Sequence, residues 1–283
     1  LGDLLRQQRE DLSTLEAIRV TLVARLDELK QREQLGRSRP SEVVSAEAQL
    51  RRLEAEFERV RSQETVARQL LEFLTGLKRI EALSDASNVP PIALETEESY
   101  AQKAVQRPDV KAAQEVWRIT QHETVVAQAD LWPDIDLEGN YYTRRVGSAS
   151  GVDWDVLVKM TVPIFQGGEH VGAVNEASSR VRQAKLQFER AQREAQLEAR
   201  HAYAKLQAAI RRDVALDQSL EASENNYRLQ VEDYRLNLVS NLDVLRTLQE
   251  LQDARRDAIA AAYEVKRLYW NLQAATGDLP SLP

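Results

Sequence analysis

The sequence has no cysteine. That excludes disulfides and thiolate metal sites and leaves the compartment open. Glycine (10) and proline (8) are scarce for 283 residues, too few turn formers for an ordinary compact globule. No run of about 18 apolar residues occurs, so no transmembrane helix is encoded. No signal-peptide pattern is visible, and the helical pattern starts abruptly at Leu1, so the N-terminal part reads as missing. A basic excess is lacking too. The net charge is −7, which argues against nucleic-acid binding, where clustered Lys and Arg displace counterions. Basic residues alternate with acids instead, as in Arg51–Arg52–Leu53–Glu54–Ala55–Glu56, the mark of a solvated helix face laced with i,i+4 pairs.

What is abundant is alanine, leucine, glutamate, glutamine and arginine, with 29% charged residues. This is the composition of long helices or coiled coils. So much alanine implies narrow buried seams and closely packed backbones. Residues 4–34 read as helix, with Leu5, Leu12, Leu15, Leu22, Leu26 and Leu29 at three-, four- and seven-residue steps. Gly36 and Pro40 punctuate a short turn, and a second helix runs from about Ser41 to Thr75, stopped by Gly76. So short a turn makes the two helices antiparallel neighbours. After a linker centred on Pro90–Pro91, helix resumes near Tyr100, breaks at Arg107–Pro108–Asp109 and continues to about Asp130. The longest helix runs from about Glu169 to Leu236, roughly 100 Å. Its seam, Val174 to Ala209, contains consecutive four-residue steps, a stutter that relaxes the supercoil. The last helix carries Val244, Leu248, Leu251, Ala258, Ala262, Val265, Leu268, Leu272 and Ala275 and stops at Gly277.

Between these helices the period changes from 3.6 to 2. Ile135, Leu137, Gly139 and Tyr141 alternate with Asp136, Glu138 and Asn140. Past Gly147–Gly151, Trp154, Val156, Val158, Met160, Val162 and Ile164 fall on one face, with Asp155, Lys159 and Thr161 on the other. This predicts a β-hairpin with arms of about ten residues. That length spans a bilayer, and the one-sided alternation suits a lipid face over a polar lumen.

The chain also repeats itself. Adding 201 to positions in the first helical hairpin gives the second: Leu35 maps to Leu236, Glu42 to Asp243, Val43 to Val244, Leu50 to Leu251, Leu71 to Leu272, Thr75 to Thr276 and Gly76 to Gly277. Ungapped register over about forty residues implies pseudo-symmetric packing. The expected divisions are 1–76, a first-repeat helical hairpin truncated at its start; 77–99, a linker; and 100–277, a second repeat. The second repeat comprises a helix over 100–130, a β-hairpin over 134–164, a long helix over 169–236 and a return helix over 241–275. Residues 278–283 form a tail.

These pieces, in this order, resemble the TolC-like outer-membrane efflux proteins. Arg107–Pro108–Asp109 opens the second repeat. Ala127–Gln128–Ala129–Asp130–Leu131–Trp132–Pro133–Asp134–Ile135 looks like the family's entry from helix to strand. Val162–Pro163–Ile164–Phe165–Gln166–Gly167–Gly168 looks like its exit. The tip reads Tyr234 to Leu245, with Asn237 where the family usually has glycine. The resemblance implies a mainly α fold in which helical hairpins form a periplasmic α-barrel and β-hairpins build an outer-membrane β-barrel. It implies a homotrimer with twelve strands, four per subunit. This chain supplies two, so the remainder was removed or belongs to a second polypeptide. It further implies a passive, gated export duct in the outer membrane of a Gram-negative bacterium, extending into the periplasm. Such a duct works with a periplasmic adaptor and, through it, an inner-membrane pump, without cofactor or catalysis.

The same resemblance assigns sites. Gly36, Arg37, Ser38, Arg39, Asn237, Leu238, Val239 and Ser240 form two turns, expected far from the barrel, where the adaptor docks. Asp243 is expected to form a carboxylate ring at the pore gate. Tyr234 is expected to bond Glu42 and hold the gate closed. Arg246 replaces an acid and could pair with Asp243 at i,i+3, loosening the gate and lowering its cation selectivity; Val239 stands where some relatives carry an arginine lock. For Asp243 a simpler role, capping the returning helix, stays open. Val156, Val158, Met160 and Val162 are expected to face lipid.

Catalytic and metal patterns do not assemble. His122, His170 and His201 lack ligand-spaced companions: His122–Glu123 is followed by Val126 where a zinc helix would place histidine. Gly167–Gly168 and Gly172 do not have dinucleotide spacing, and no nucleophile–base set is present. Two other functions compete with the channel. A structural coiled-coil scaffold explains the composition but not the β-hairpin; an α-helical pore-forming toxin with a β-tongue explains the hairpin but not the 201-residue duplication.

Overall fold

A computed structural model describes residues 2–80, 94–144, 151, 153–236 and 238–278. The linker prolines Pro90–Pro91, most of the 147–151 loop, Asn237 and the tail beyond Asp278 lie outside them. The elements are α1 (Gly2–Gln34), α2 (Pro40–Thr75), α3 (Glu97–Ala104), α4 (Pro108–Ala129), β1 (Asp134–Tyr141), β2 (Trp154–Thr161), α5 (Glu169–Arg235) and α6 (Asn241–Thr276). Helix therefore resumes at Glu97, three residues before Tyr100, and the 100–130 stretch is two helices that meet at the Arg107–Pro108–Asp109 break.

The duplication holds at three pairs of helix boundaries, the ends of α1 and α5 and both ends of α2 and α6. α1 ends at Gln34 and α5 at Arg235; α2 spans Pro40–Thr75 and α6 Asn241–Thr276. Each of these is an offset of 201 (34 + 201 = 235; 40 + 201 = 241; 75 + 201 = 276). The stops repeat as well. Gly76 and Gly277 adopt left-handed φ of 71° and 78°, which glycine reaches without a Cβ penalty. The Arg37 N–H donates to the Arg32 carbonyl at 2.7 Å, and the Leu238 N–H to the Asp233 carbonyl at 2.9 Å. These are the same six-to-one closures, 201 residues apart.

The chain divides into two compact units: Leu1–Thr96, His201–Ala274 and Asp278–Pro283 in one, Glu97–Arg200 and Ala275–Gly277 in the other. This partition does not follow the expected chain-order division, because α5 and α6 each supply residues to both units. In the first unit the leucines of α1 interlock with Val43, Ala46, Leu50, Leu53 and Val60 of α2 and with Leu245 and Leu248 of α6. Leu15, Leu22 and Leu29 are almost wholly enclosed, each contributing about 1.5–3 kcal/mol by leaving water. On α6 the buried alanines are Ala258, as expected, and Ala261, whereas the expected Ala262 is exposed. Arg256 adds polar stitching, its guanidinium reaching Asp11 of α1 and Glu56 of α2, both at 2.7 Å.

The second unit packs thinner side chains. Ala104, Val110, Ala195 and Ala199 form its core, with Phe188 against them and stacked on Trp117 at 5.8 Å. The Arg107–Pro108–Asp109 motif works as a clamp here. Arg107 pairs with Asp109 at 2.8 Å, with Glu198 of α5, and with the Ala275 carbonyl at 3.4 Å. The two carboxylates hold its guanidinium firmly charged. β1 and β2 form an antiparallel pair in one unbroken register, from Asp134 opposite Thr161 to Tyr141 opposite Trp154.

Candidate functional site

The β-hairpin is the first candidate surface. Residues directly opposite one another share a face. One face is therefore Ile135–Met160, Leu137–Val158, Gly139–Val156 and Tyr141–Trp154. The other carries Asp134–Thr161, Asp136–Lys159, Glu138–Leu157 and Asn140–Asp155, with Leu157 its single apolar member. Asp155 accepts from the Asn140 amide and the Tyr142 hydroxyl, both at 3.0 Å, knitting the polar face together. Val156, Val158, Met160 and Val162 are all exposed, at 51–66%. Nothing among the described residues covers them.

The two turns lie in the first unit. Gly36 sits at φ 68° and closes α1. Arg37, Ser38 and Arg39 follow, and Pro40 opens α2. Ser38 Oγ donates to Glu42 at 2.7 Å. At the second turn Leu238 is exposed and Val239 partly so; Asn237 lies outside the described residues. Ser240 and Asp243 form a reciprocal cap: the Ser240 N–H and hydroxyl donate to Asp243 Oδ2 at 3.0 and 2.6 Å, and the Asp243 N–H returns to Ser240 Oγ. This is the capping-box arrangement at a helix start. The Ser240 bonds hold the Asp243 carboxyl below its ordinary range.

Two expected pairings are replaced. Tyr234 does not bond Glu42 in this chain. Its ring lies under Arg25, 4.0 Å from the guanidinium carbon, and 5.1 Å from that of Arg32, whose Nη1 donates to the phenol oxygen at 3.1 Å. The reason is reach: Tyr234 is buried against α1, while Glu42 is held locally by Ser38. Nor does Arg246 pair directly with Asp243. It turns the other way along α6 to Glu250, at 3.1 Å, because the Asp243 carboxylate is already engaged by the cap.

The structure thus adds residues that sequence reasoning missed. Arg25 donates to the Asn241 side chain at 2.8 Å and to Glu28 at 2.7 Å; Glu28 also holds Arg32 at 2.7 Å. Asn241, at 1% exposure, is almost sealed. With Tyr234 these residues form a latch between α1 and the second turn. The seven-residue spacing of Arg25 and Arg32 placed them on one face of α1, with Glu28 between them, but Tyr234 and Asn241 lie more than 200 residues away, out of reach of any local pattern. Among the described residues no group of His, Asp or Glu converges as a metal site, and no helix is long and apolar enough to cross a membrane.

Comparison with known proteins agrees with this geometry. Nodulation protein T of Rhizobium leguminosarum bv. trifolii is 24% identical over 205 residues, 70% of this chain and 44% of that protein. A membrane protein from Pseudomonas aeruginosa superposes with a TM-score of 0.83 at 22% identity, covering 97% of this chain and 66% of the other. The outer membrane protein VceC of Vibrio cholerae gives 0.81 at 21% identity, covering 98% and 67%. The chain thus has the fold of TolC-like channels and spans about two thirds of those structures and under half of the nodulation protein. The sequence model of outer membrane efflux proteins matches residues 100–278, from α3 through the end of α6. With that match running through well over half of its length, the chain belongs to the outer membrane efflux protein family.

Proposed function

We propose that this chain is the larger part of an outer-membrane channel subunit of a tripartite efflux or type I secretion system, a passive gated duct and not an enzyme. The observation that carries this reading is the hairpin: an exposed apolar face backed by a polar one, in perfect cross-strand register. That is the pattern of a barrel strand pair with lipid outside and water inside. In this reading the protein sits in the outer membrane of a Gram-negative bacterium and reaches into the periplasm. It assembles as a homotrimer, meets an adaptor through the turns at Gly36–Arg39 and 237–240, and reaches an inner-membrane pump through that adaptor. An open groove between α2 and α6, lined by exposed Val44 and Leu242 among others, supports burial against a second copy, since isolated surface seams of this kind are normally covered.

The gate lies at Asp243. Its helix cap uses Oδ2, and the carboxylate keeps its charge, so three copies about an axis would attract cations. Opening requires the second turn to leave α1, which makes the Arg25–Arg32–Tyr234 latch the element that sets the closed state. The test is single-channel conductance of the intact trimer in a planar bilayer. Tyr234→Leu is expected to raise conductance, and Asp243→Asn to weaken block by divalent cations. Parent-like conductance and block in both variants would place the gate elsewhere.

A further inference from the structure

The two turns occupy equivalent positions in the repeat yet differ at three exposed positions. Position for position, Arg37 corresponds to Leu238, Arg39 to Ser240 and Ser41 to Leu242. Arg37 and Arg39 are exposed, and neither guanidinium takes part in a hydrogen bond or ion pair among the described residues. The acid nearest them, Glu42, is occupied by Ser38. The first turn therefore presents two uncommitted guanidinium groups within three residues. At the corresponding positions the second presents leucines: Leu238 and Leu242 are 69% and 63% exposed, while Leu236, at 69%, is matched by Leu35 of the first turn at 70%. The Asp243 carboxylate there is engaged by Ser240. Both turns belong to one compact unit and are tied together by the Arg32–Tyr234 and Arg25–Asn241 contacts, so one partner can meet both.

We infer that the docking end is a two-chemistry surface, and that its occupant is a polypeptide tip carrying carboxylates for Arg37 and Arg39 and an apolar side chain for the Leu238 turn. The inference rests on the docking role proposed above and goes further by fixing the charge and polarity of the partner. Uncommitted arginines favour carboxylates, which accept two parallel N–H bonds from the guanidinium fork. Opposed charge at an exposed rim gives orientation and encounter rate, while the apolar turn supplies salt-insensitive contact. The same pairing of cations and apolar groups could meet an anionic bilayer. Interfacial membrane contact, however, is marked by exposed aromatics, and neither turn has one; the exposed aromatics Trp132, Tyr141, Trp154 and Phe165 lie on or beside the hairpin, and Phe73 lies in the last turn of α2.

The test uses the full-length trimer in detergent and three labelled helical-hairpin peptides identical except at the turn: acidic with leucine, basic with leucine, and acidic with serine. Binding is read by fluorescence anisotropy at low and high salt. The acidic-leucine peptide is expected to bind about tenfold tighter than the basic-leucine peptide at low salt, with the gap closing as salt is raised. Arg37→Ala with Arg39→Ala should abolish that preference while leaving salt-independent binding, and Leu238→Ser should weaken the leucine peptides alone. Equal binding of the acidic and basic peptides overturns the inference and leaves docking intact. No binding of any peptide overturns both. Arginine-dependent binding to vesicles containing phosphatidylglycerol, without peptide discrimination, overturns the inference in favour of a lipid surface.

Discussion

The α1–α2 seam and the β-hairpin carry similar apolar side chains to opposite ends. In the seam, Leu15, Leu22 and Leu29 are at most 1% exposed, each locked among leucines and valines of neighbouring helices. In the hairpin, Leu137 and Val158 face one another across the ladder and remain 74% and 66% exposed. The difference lies in what each element can bury against. A helix of period 3.6 with one apolar stripe finds its partner one short turn away in the same chain. A two-stranded ribbon has two faces and no third layer, so its apolar face stays open until lipid or further strands close it. One region is complete within the chain; the other is complete only in its proposed setting.

That contrast can be broken by matched substitutions. Leu22→Ala should cost the folded chain about 2–5 kcal/mol in chemical denaturation, because a fully enclosed site leaves a cavity. Leu137→Ala, the same chemistry on the open face, should stay within about 0.5 kcal/mol in water. Equal losses at the two sites would mean that the hairpin face is covered within the chain. The next largest effect belongs to lipid. Val158→Arg should lower folding into vesicles by about 2–4 kcal/mol at the bilayer midplane, while Lys159→Leu on the polar face should not. The reverse outcome would invert the faces.

Smaller effects probe the ion pairs that stitch the helical seam. Arg256→Ala strands Asp11 without its cation and leaves Glu56 only Arg59, and should cost about 1–3 kcal/mol, whereas Arg256→Met, which keeps the packed stem, should cost less. The smallest effect is a pH dependence. The hydrogen bond from Arg59, aided by Arg256 and opposed by burial, lowers the Glu56 carboxyl from 4.5 to about 2. A carboxyl lowered on folding stabilises fully above its unfolded value, and this contribution disappears as pH falls from about 4.5 to 2. Urea midpoints recorded over that window should fall for the parent and fall less for Glu56→Gln; parallel curves would remove Glu56 from the network.

Much of the molecule was legible from local pattern. The leucine steps of α1, the alanine seam of α5, the glycine stops at 36, 76 and 277 and the alternation of β1 and β2 all rest on short-range sterics and on the period with which side chains face one side. The duplication was legible because register alone reveals it. The expected Tyr234–Glu42 pair failed for a different reason. Both residues lie near the turns, but Tyr234 folds inward beneath Arg25 and Arg32, and Ser38 reaches Glu42 first. Likewise Arg246 could reach Asp243 or Glu250 by helix geometry, and the Ser240 cap decided between them.

The sequence by itself determined which segments are helix or strand, where they stop, and that one helical hairpin repeats the other, because backbone sterics and hydrophobic period act within a few residues. Tertiary structure alone decided which guanidinium meets which ring or carboxylate. Arg25 reaches Asn241 across 216 positions and Arg256 reaches Asp11 across 245, distances over which only the packing of whole helices sets who is neighbour to whom.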